Sequence, residues 1–310
     1  MAQIKIGDPH GLYRVFVGLV DENGYNYGTA GSGVAASTLV SPYMMKYAKN
    51  AEIAQNDRNV IDFTGGDVWT GSYVYGITSL GTFSLTSSTL EADLIALTSG
   101  GQVDQTLNTL QTVFAENILR STPPQVWVMI VYRIQSKESG STGANKYLTV
   151  VCPRTWTAPK GVSGAPAFQS AGEYGFTMVP TVGDRMPWGP SFAETTSGAS
   201  GTIGLDQELN QTPTFYVISD YPLHAVGQKP TAGSSNEDVV LPFVPAGVQT
   251  DYTTPDSSTQ RVQVYVDGVQ VDAASVTLST KTVVVAPPGG TWAGTEYIGV
   301  LYETAYNTDV

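Results

Sequence analysis

The sequence predicts a mainly β chain: an antiparallel β-sandwich or barrel with one flanking α-helix, followed by a small C-terminal all-β domain. Three observations predict it. Gly and Pro number 33 and 18 of 310 residues and punctuate the chain with turns. Period-2 alternation of apolar residues recurs along the chain, while a helical period with its own start and stop signals is clear in one stretch. The charge is also divided. There are 12 Lys+Arg and 14 Asp+Glu up to Pro190, but 3 and 13 from Ser191 onward, so the net −12 belongs mostly to the C-terminal third.

The chain is organised around Gly65–Gly101. Val68, Thr70, Ser72 and Val74 alternate with Trp69, Tyr73 and Tyr75, placing β-formers on both faces of a strand, as suits one covered on both sides. Ser79-Leu80-Gly81 reads as a turn, and Thr82–Thr86 as a second strand with Phe83 and Leu85 on one face. Ser88-Thr89-Leu90-Glu91 is a capping box that starts a helix over Thr89–Thr98. Leu90, Leu94 and Leu97 form its apolar stripe, widened by Ile95. Glu91 and Asp93 stand in the first turn, where the helix dipole favours anions, and Gly100 is the stop. One apolar stripe predicts a helix lying on a sheet.

Other elements follow the same logic. Tyr13–Val20 is a strand, Asp21–Gly24 a turn with an Asn-Gly pair, and Gly28–Gly33 a loop. Thr38–Ala48 is strand or mixed. Ala51–Phe63, with its polar Gln55–Arg58 centre, reads as a polar-tipped hairpin or extended loop. Val103–Leu119 places Leu107, Leu110 and Phe114 at helical spacing but also suits an irregular path. Gln125–Ile134 is the most apolar strand, Lys137–Ala144 a hairpin tip, and Lys146–Cys152 the return. Trp156–Gly172 is loop, and Glu173–Pro180 another strand. Residues 1–192 form the first domain, 193–213 a linker and 214–310 the C-terminal domain. In the last, Val262, Val264 and Val266 alternate before an Asp267-Gly268 turn, and Tyr297–Tyr302 closes the module.

The chemistry of an enzyme is not visible. Of the two histidines, His10 follows a Pro near the N-terminus and His224 reads as part of a loop, so neither is expected in a catalytic or ligating role. Gly161–Pro166 (GVSGAP) superficially matches the nucleophile region of trypsin-like proteases, but Val162 replaces its acidic residue and Ala165 a glycine. Gly28–Gly33 has no Lys-Ser/Thr of a phosphate-binding loop. The one cysteine, Cys152, is expected as a buried small hydrophobe. No metal site and no cofactor are expected. The opening MAQIKIGDPHG has no secretory apolar run and no stretch reaches membrane-spanning length, so synthesis in a reducing cytoplasm is expected. No basic stripe is present to grip nucleic acid.

The order of Tyr13–Val20, the Asn-Gly turn, the long polar hairpin, SLGTFSLTSSTLEADLIALTSG, the apolar strand and EYGFTMVPTVGDRMPWGPSF resembles the major tail tube proteins of long-tailed bacteriophages, over about residues 10 to 192. The segment VYVDGVQV…TVVVAPPGGTWAGTEYIGVLYE resembles a small β module of phage fibre and tail proteins. The first resemblance implies a tail-tube fold, self-assembly into stacked hexameric rings, and a virion subunit made in a bacterial host. Stacking would run through the long hairpin and the termini. DNA would pass through the lumen without specific binding, and tape-measure, terminator and distal tail proteins would be partners. Asp57, Asp62 and Asp67 are then the candidate lumen-facing acids, Glu91 and Asp93 the candidate inter-subunit helix face, and Leu90, Leu94 and Leu97 the core stripe. The acidic C-terminal domain would decorate the exterior, which suits a non-contractile tail, and truncation near Ala193 is expected to leave a protein able to polymerise. The competing expectations are another virion structural protein (a tail terminator or capsid decoration) and a carbohydrate-binding adhesion module.

Overall fold

The computed structural model describes residues 9–28, 35–53, 57–65, 68–79, 82–88, 91–99, 102–108, 111–115, 124–134, 146–163, 173–181, 185–193, 202–204, 214–246, 261–271 and 275–304. The fold is mainly β and its sheets are overwhelmingly antiparallel.

The first sheet has nine strands. Its path runs Asn26–Gly28, Pro9–Val20, Gln125–Ile134, Lys146–Ser163, Glu173–Pro180, Phe83–Ser87, Ala48–Ile53. Tyr43–Met44 joins Pro9–Val20, and Phe215–Ser219 joins Lys146–Ser163, from the side. Strand alternation sorts the apolar residues onto two faces. Val15, Val17, Val128, Ile130 and Val150 belong to one core cluster, Phe16, Trp127, Met129, Val131 and Val151 to another. Gln125–Ile134 is almost uniformly apolar because both of its faces are covered. The sheet also curls. The Tyr132 hydroxyl donates to the Ala51 carbonyl at 3.0 Å, so the far edge strand returns over the middle of the sheet. The Met45 amide donates to the Val15 carbonyl at 2.9 Å.

Inside that curl sits the helix, Ala92–Ser99. It is more enclosed than a single stripe predicts: Leu94, Ile95, Ala96, Leu97 and Thr98 are all buried, and Asp93 is exposed. Thr89 and Leu90 lie outside the described residues. The expected capping box is displaced. The Ile95 amide bonds the Glu91 carbonyl, so Glu91 itself occupies the cap position. Its carboxylate accepts from the Ser87 hydroxyl at 2.9 Å and from the Tyr43 hydroxyl at 2.8 Å.

Two further sheets face each other. One runs Val269–Gln270, Val262–Val266, Ile298–Glu303, Leu223–Gln228, Leu39–Val40; the other runs Glu237–Val240, Thr282–Val285, Val276–Ser279. Val226, Val264, Val283, Val285, Trp292 and Val300 pack between them. Asp267 and Gly268 have φ of 48° and 85°, the two left-handed positions that an Asp-Gly hairpin turn requires.

These sheets do not hang from the first one by a tether. Leu223, Ala225 and Tyr265 complete the cluster formed by Phe16, Trp127, Met129 and Val131, so one apolar layer joins the two parts. The expected boundary at residue 214 is corrected by pairing: Phe215–Ser219 belongs to the first sheet, with Tyr147 opposite Ser219. In return, Leu39–Val40 from the N-terminal part belongs to the second sheet, with Val40 opposite Gly227. Within the expected linker, Thr202–Gly204 pairs in parallel with Ser191–Ala193.

Two other expectations are corrected. The segment read as loop from Trp156 continues the strand Lys146–Ser163, which carries Pro153 and Pro159. Register shifts fall beside both prolines, between the pairs Val126–Thr155 and Val128–Cys152 and between Pro159 and Val162, where a missing ladder N–H does least damage. The ambiguous stretch after Val103 is a hairpin, Gln102–Asn108 against Gln111–Ala115. The expected turn at Ser79–Gly81, the hairpin tip at Lys137–Ala144 and the loop over Gly28–Gly33 lie largely outside the described residues.

Candidate assembly surface

A two-stranded ribbon leaves the edge of the first sheet. Ala48–Ile53 pairs with Phe83–Ser87, ending with Ile53 opposite Phe83. Asp57–Gly65 then pairs with Val68–Ser79, from Asp57 opposite Ser79 to Gly65 opposite Val68. The segment expected as a polar-tipped hairpin is therefore its outgoing strand, and the chain reverses near Gly65 rather than at Gln55–Arg58. Among the described residues its distal strands pair only with each other. A nine-residue strand at about 3.3 Å per residue makes this part roughly 30 Å long. Its sequence carries Val60, Ile61, Phe63, Trp69, Val74 and Ile77. A lone two-stranded hairpin is marginally stable in water, so this one gains by being covered.

Asp57 and Asp62 stand on this ribbon, in register with Ser79 and Ser72. Asp67 lies outside the described residues. The structure thus puts two of the three candidate lumen acids on one element. It divides the candidate helix face: Asp93 is exposed, whereas Glu91 is buried and tied internally by Ser87 and Tyr43. Buried and holding two hydroxyls, Glu91 serves as an internal cap, which leaves Asp93 as the exposed member of that pair. Leu94 and Leu97 are buried as the stripe requires.

A second surface feature was not anticipated. Phe215–Ser219 pairs along one side with Tyr147–Val151, and no described strand pairs with its other side. Phe215 and Val217 turn toward the apolar layer, while Tyr216 and Ile218 are 61% and 37% exposed. It has neither the Lys nor the Pro that commonly protects a sheet edge.

The remaining polar groups of interest are internal. The Glu237 carboxylate borders a shallow cavity with Ser37, Ser234, Asn236 and Asp238. It accepts from the Thr231 amide at 2.6 Å, the Ser234 hydroxyl at 2.7 Å, the Ser37 hydroxyl at 2.8 Å and the Gln228 amide at 3.1 Å. Burial opposes its charge, but these bonds outweigh burial and hold the carboxyl below its ordinary range. With both oxygens engaged, it anchors the Ser37 segment to the C-terminal part rather than awaiting a ligand. Asn26 does similar work: its side chain accepts from Trp127 Nε1 at 3.0 Å and donates to the Val40 carbonyl at 3.3 Å. Burial pushes the Cys152 thiol well above its usual range, which leaves it unreactive. Among the described residues, no group of three or more His, Cys, Asp or Glu side chains is placed to hold a metal ion, and no helix is long and apolar enough to cross a membrane. The sequence signal that would have found the Glu237 anchor is weak, because Ser37 and Glu237 are 200 residues apart. No protein-family model matches this chain, and neither does any curated protein.

Proposed function

We propose that this chain is a structural subunit, without catalysis, that assembles with copies of itself into the tube of a long, non-contractile phage tail. The observation that carries this reading is the ribbon Asp57–Gly65 and Val68–Ser79, a two-stranded arm paired only with itself among the described residues. Such an arm suits an element that gains its cover from another subunit. The family resemblance of residues 10 to 192 supplies the stacked hexameric rings, the tail-tube fold, the tape-measure, terminator and distal tail partners and the passing DNA. Asp57, Asp62 and Asp67 would line the lumen, where carboxylates repel phosphate and let DNA slide. The acidic C-terminal part would face outward, docked by its apolar face onto the first sheet.

Replacing residues 57–79 with a short Gly-Ser turn tests the role of the arm. The expected product keeps the far-ultraviolet circular dichroism of a folded β protein and sediments as a small species where the full chain sediments as large particles. An armless chain that assembles like the full chain contradicts the proposal.

A further inference from the structure

Against the apolar layer between the first sheet and the C-terminal part lies a buried imidazole whose inner nitrogen has no hydrogen-bonding partner among the described residues. His224 lies on Leu223–Gln228, opposite Tyr302, and is 1% exposed. Its Nδ1 is buried and makes no hydrogen bond among the described residues. Three rings enclose the imidazole. Phe16, from the first sheet, stands edge-on at 4.7 Å between centroids, Phe243 edge-on at 4.9 Å, and Tyr302 tilted at 5.4 Å.

The charged and titratable groups facing this ring come from two elements. Pro9–Val20 contributes Arg14, whose guanidinium lies 4.9 Å from the centre of the Phe243 ring and 4.9 Å from that of Tyr13. Ile298–Glu303 contributes Tyr302, whose hydroxyl accepts the Phe243 amide at 3.3 Å. Its other acid, Glu303, is engaged with Arg261. No carboxylate pairs with His224 among the described residues. Phe243 is therefore shared by the imidazole and an existing cation, and a second positive charge would sit one ring away from the first. An unpaired charge in an apolar layer is among the costliest groups to bury.

We propose that His224 is an acid-sensitive lock on the docking of the C-terminal sheets: neutral, it packs as one ring among four, and protonated, it opens the layer between them and the first sheet. Geometry and linkage agree in sign. Burial, and then Arg14, lower the folded-state value to about 3 from the ordinary 6.5. A depressed value means the unfolded or undocked chain binds the proton first. The stabilisation is complete above about pH 6.5 and is lost as pH falls toward 3.

The full chain holds two histidines, so carbon-13 labelling of histidine gives two ring signals. The His224 signal should stay that of neutral imidazole for as long as the folded spectrum persists. In urea titrations followed by tryptophan emission, the unfolding constant of the native chain should rise between pH 6 and pH 4 by about tenfold per pH unit more than that of His224→Phe. His224→Gln, neutral and polar, serves if the Phe variant does not fold. At pH 4.5, amide exchange should rise first in Leu223–Gln228 and Val262–Val266, before the helix Ala92–Ser99. A His224 ring that titrates above pH 5.5 with the folded spectrum intact overturns the proposal. So does a variant with the native pH slope, or exchange that rises uniformly across the chain.

Discussion

The backbone carbonyl of Trp188 lies so close to Gly299 that a Cβ on Gly299 would come within 1.6 Å of its oxygen. Gly299 is in the second sheet, opposite Gly227 and Tyr265, and Trp188 is buried in the layer shared with the first sheet. A second close approach lies beside it: a Cβ on Gly227 would fall 1.9 Å from the Tyr297 hydroxyl oxygen. Arg185 extends the same seam, stacking at 4.6 Å over Tyr25, which itself stacks on Tyr297 at 4.5 Å. Gly299→Ala must push backbone from backbone, and the expected cost is about 3 kcal/mol or more, at the upper end of overpacked sites. Urea unfolding checks it; an unchanged midpoint would show that the two parts tolerate separation there.

Truncation near Ala193 has a different expected outcome from the one the resemblance to tail tube proteins implies. It removes Phe215–Ser219 from the first sheet and strips Leu223, Ala225 and Tyr265 from the layer over Trp127 and Met129. The truncated chain should be insoluble or bind a dye for exposed apolar surface, as a face of this extent left bare is a liability. A monodisperse truncated protein with sharp, dispersed amide resonances would argue that the first sheet stands alone.

Ser37 and Glu237 join distant parts of the chain through a buried charge. Glu237→Gln keeps the shape but replaces one accepting oxygen with a donor facing donors. The expected destabilisation is about 2 kcal/mol at pH 7, the range for a hydrogen bond to a charged group. The carboxyl is held below its ordinary value in the folded chain, so its contribution is present above about pH 4.5 and is lost as pH falls further. The difference in stability between native and Glu237→Gln should therefore shrink below pH 4.5. A constant difference across pH 3 to 7 would contradict the assignment.

The helix separates core from surface within two residues. Leu94 is fully buried, and Leu94→Asp should prevent folding because it buries an unpaired carboxylate. Asp93 is exposed, and Asp93→Lys should cost at most about 0.5–1 kcal/mol through the helix dipole. If the helix meets a neighbouring subunit, Asp93→Lys should also slow assembly as followed by light scattering. Unchanged assembly would remove the helix from the interface.

What was legible in the sequence was local. Gln125–Ile134, Glu173–Pro180 and Val262–Val266 fall where alternation and apolar runs place them. The Asp267-Gly268 turn follows from its two residue types. The prolines at 153 and 159 hid the length of Lys146–Ser163, because a bulge that tolerates them depends on partner strands. The sequence around His224 reads as a loop, whereas it forms the strand Leu223–Gln228. Burial on both of its faces, which joins the two parts, depends on Phe16 and Trp127 from elsewhere in the chain. Glu91 reads from the sequence as part of an outward helix face because Tyr43, 48 residues earlier, carries no local sign that it reaches the helix. The long hairpin was visible as polar, extended sequence, but the position of its reversal was not.

Self-assembly of the purified full chain is tested most directly by electron microscopy in negative stain. Open-ended tubes about 100 Å wide, consistent with sheets packed about 10 Å apart and closed into a ring, are the expected result. A field of single, uniform monomers that stays unchanged as concentration rises would contradict it.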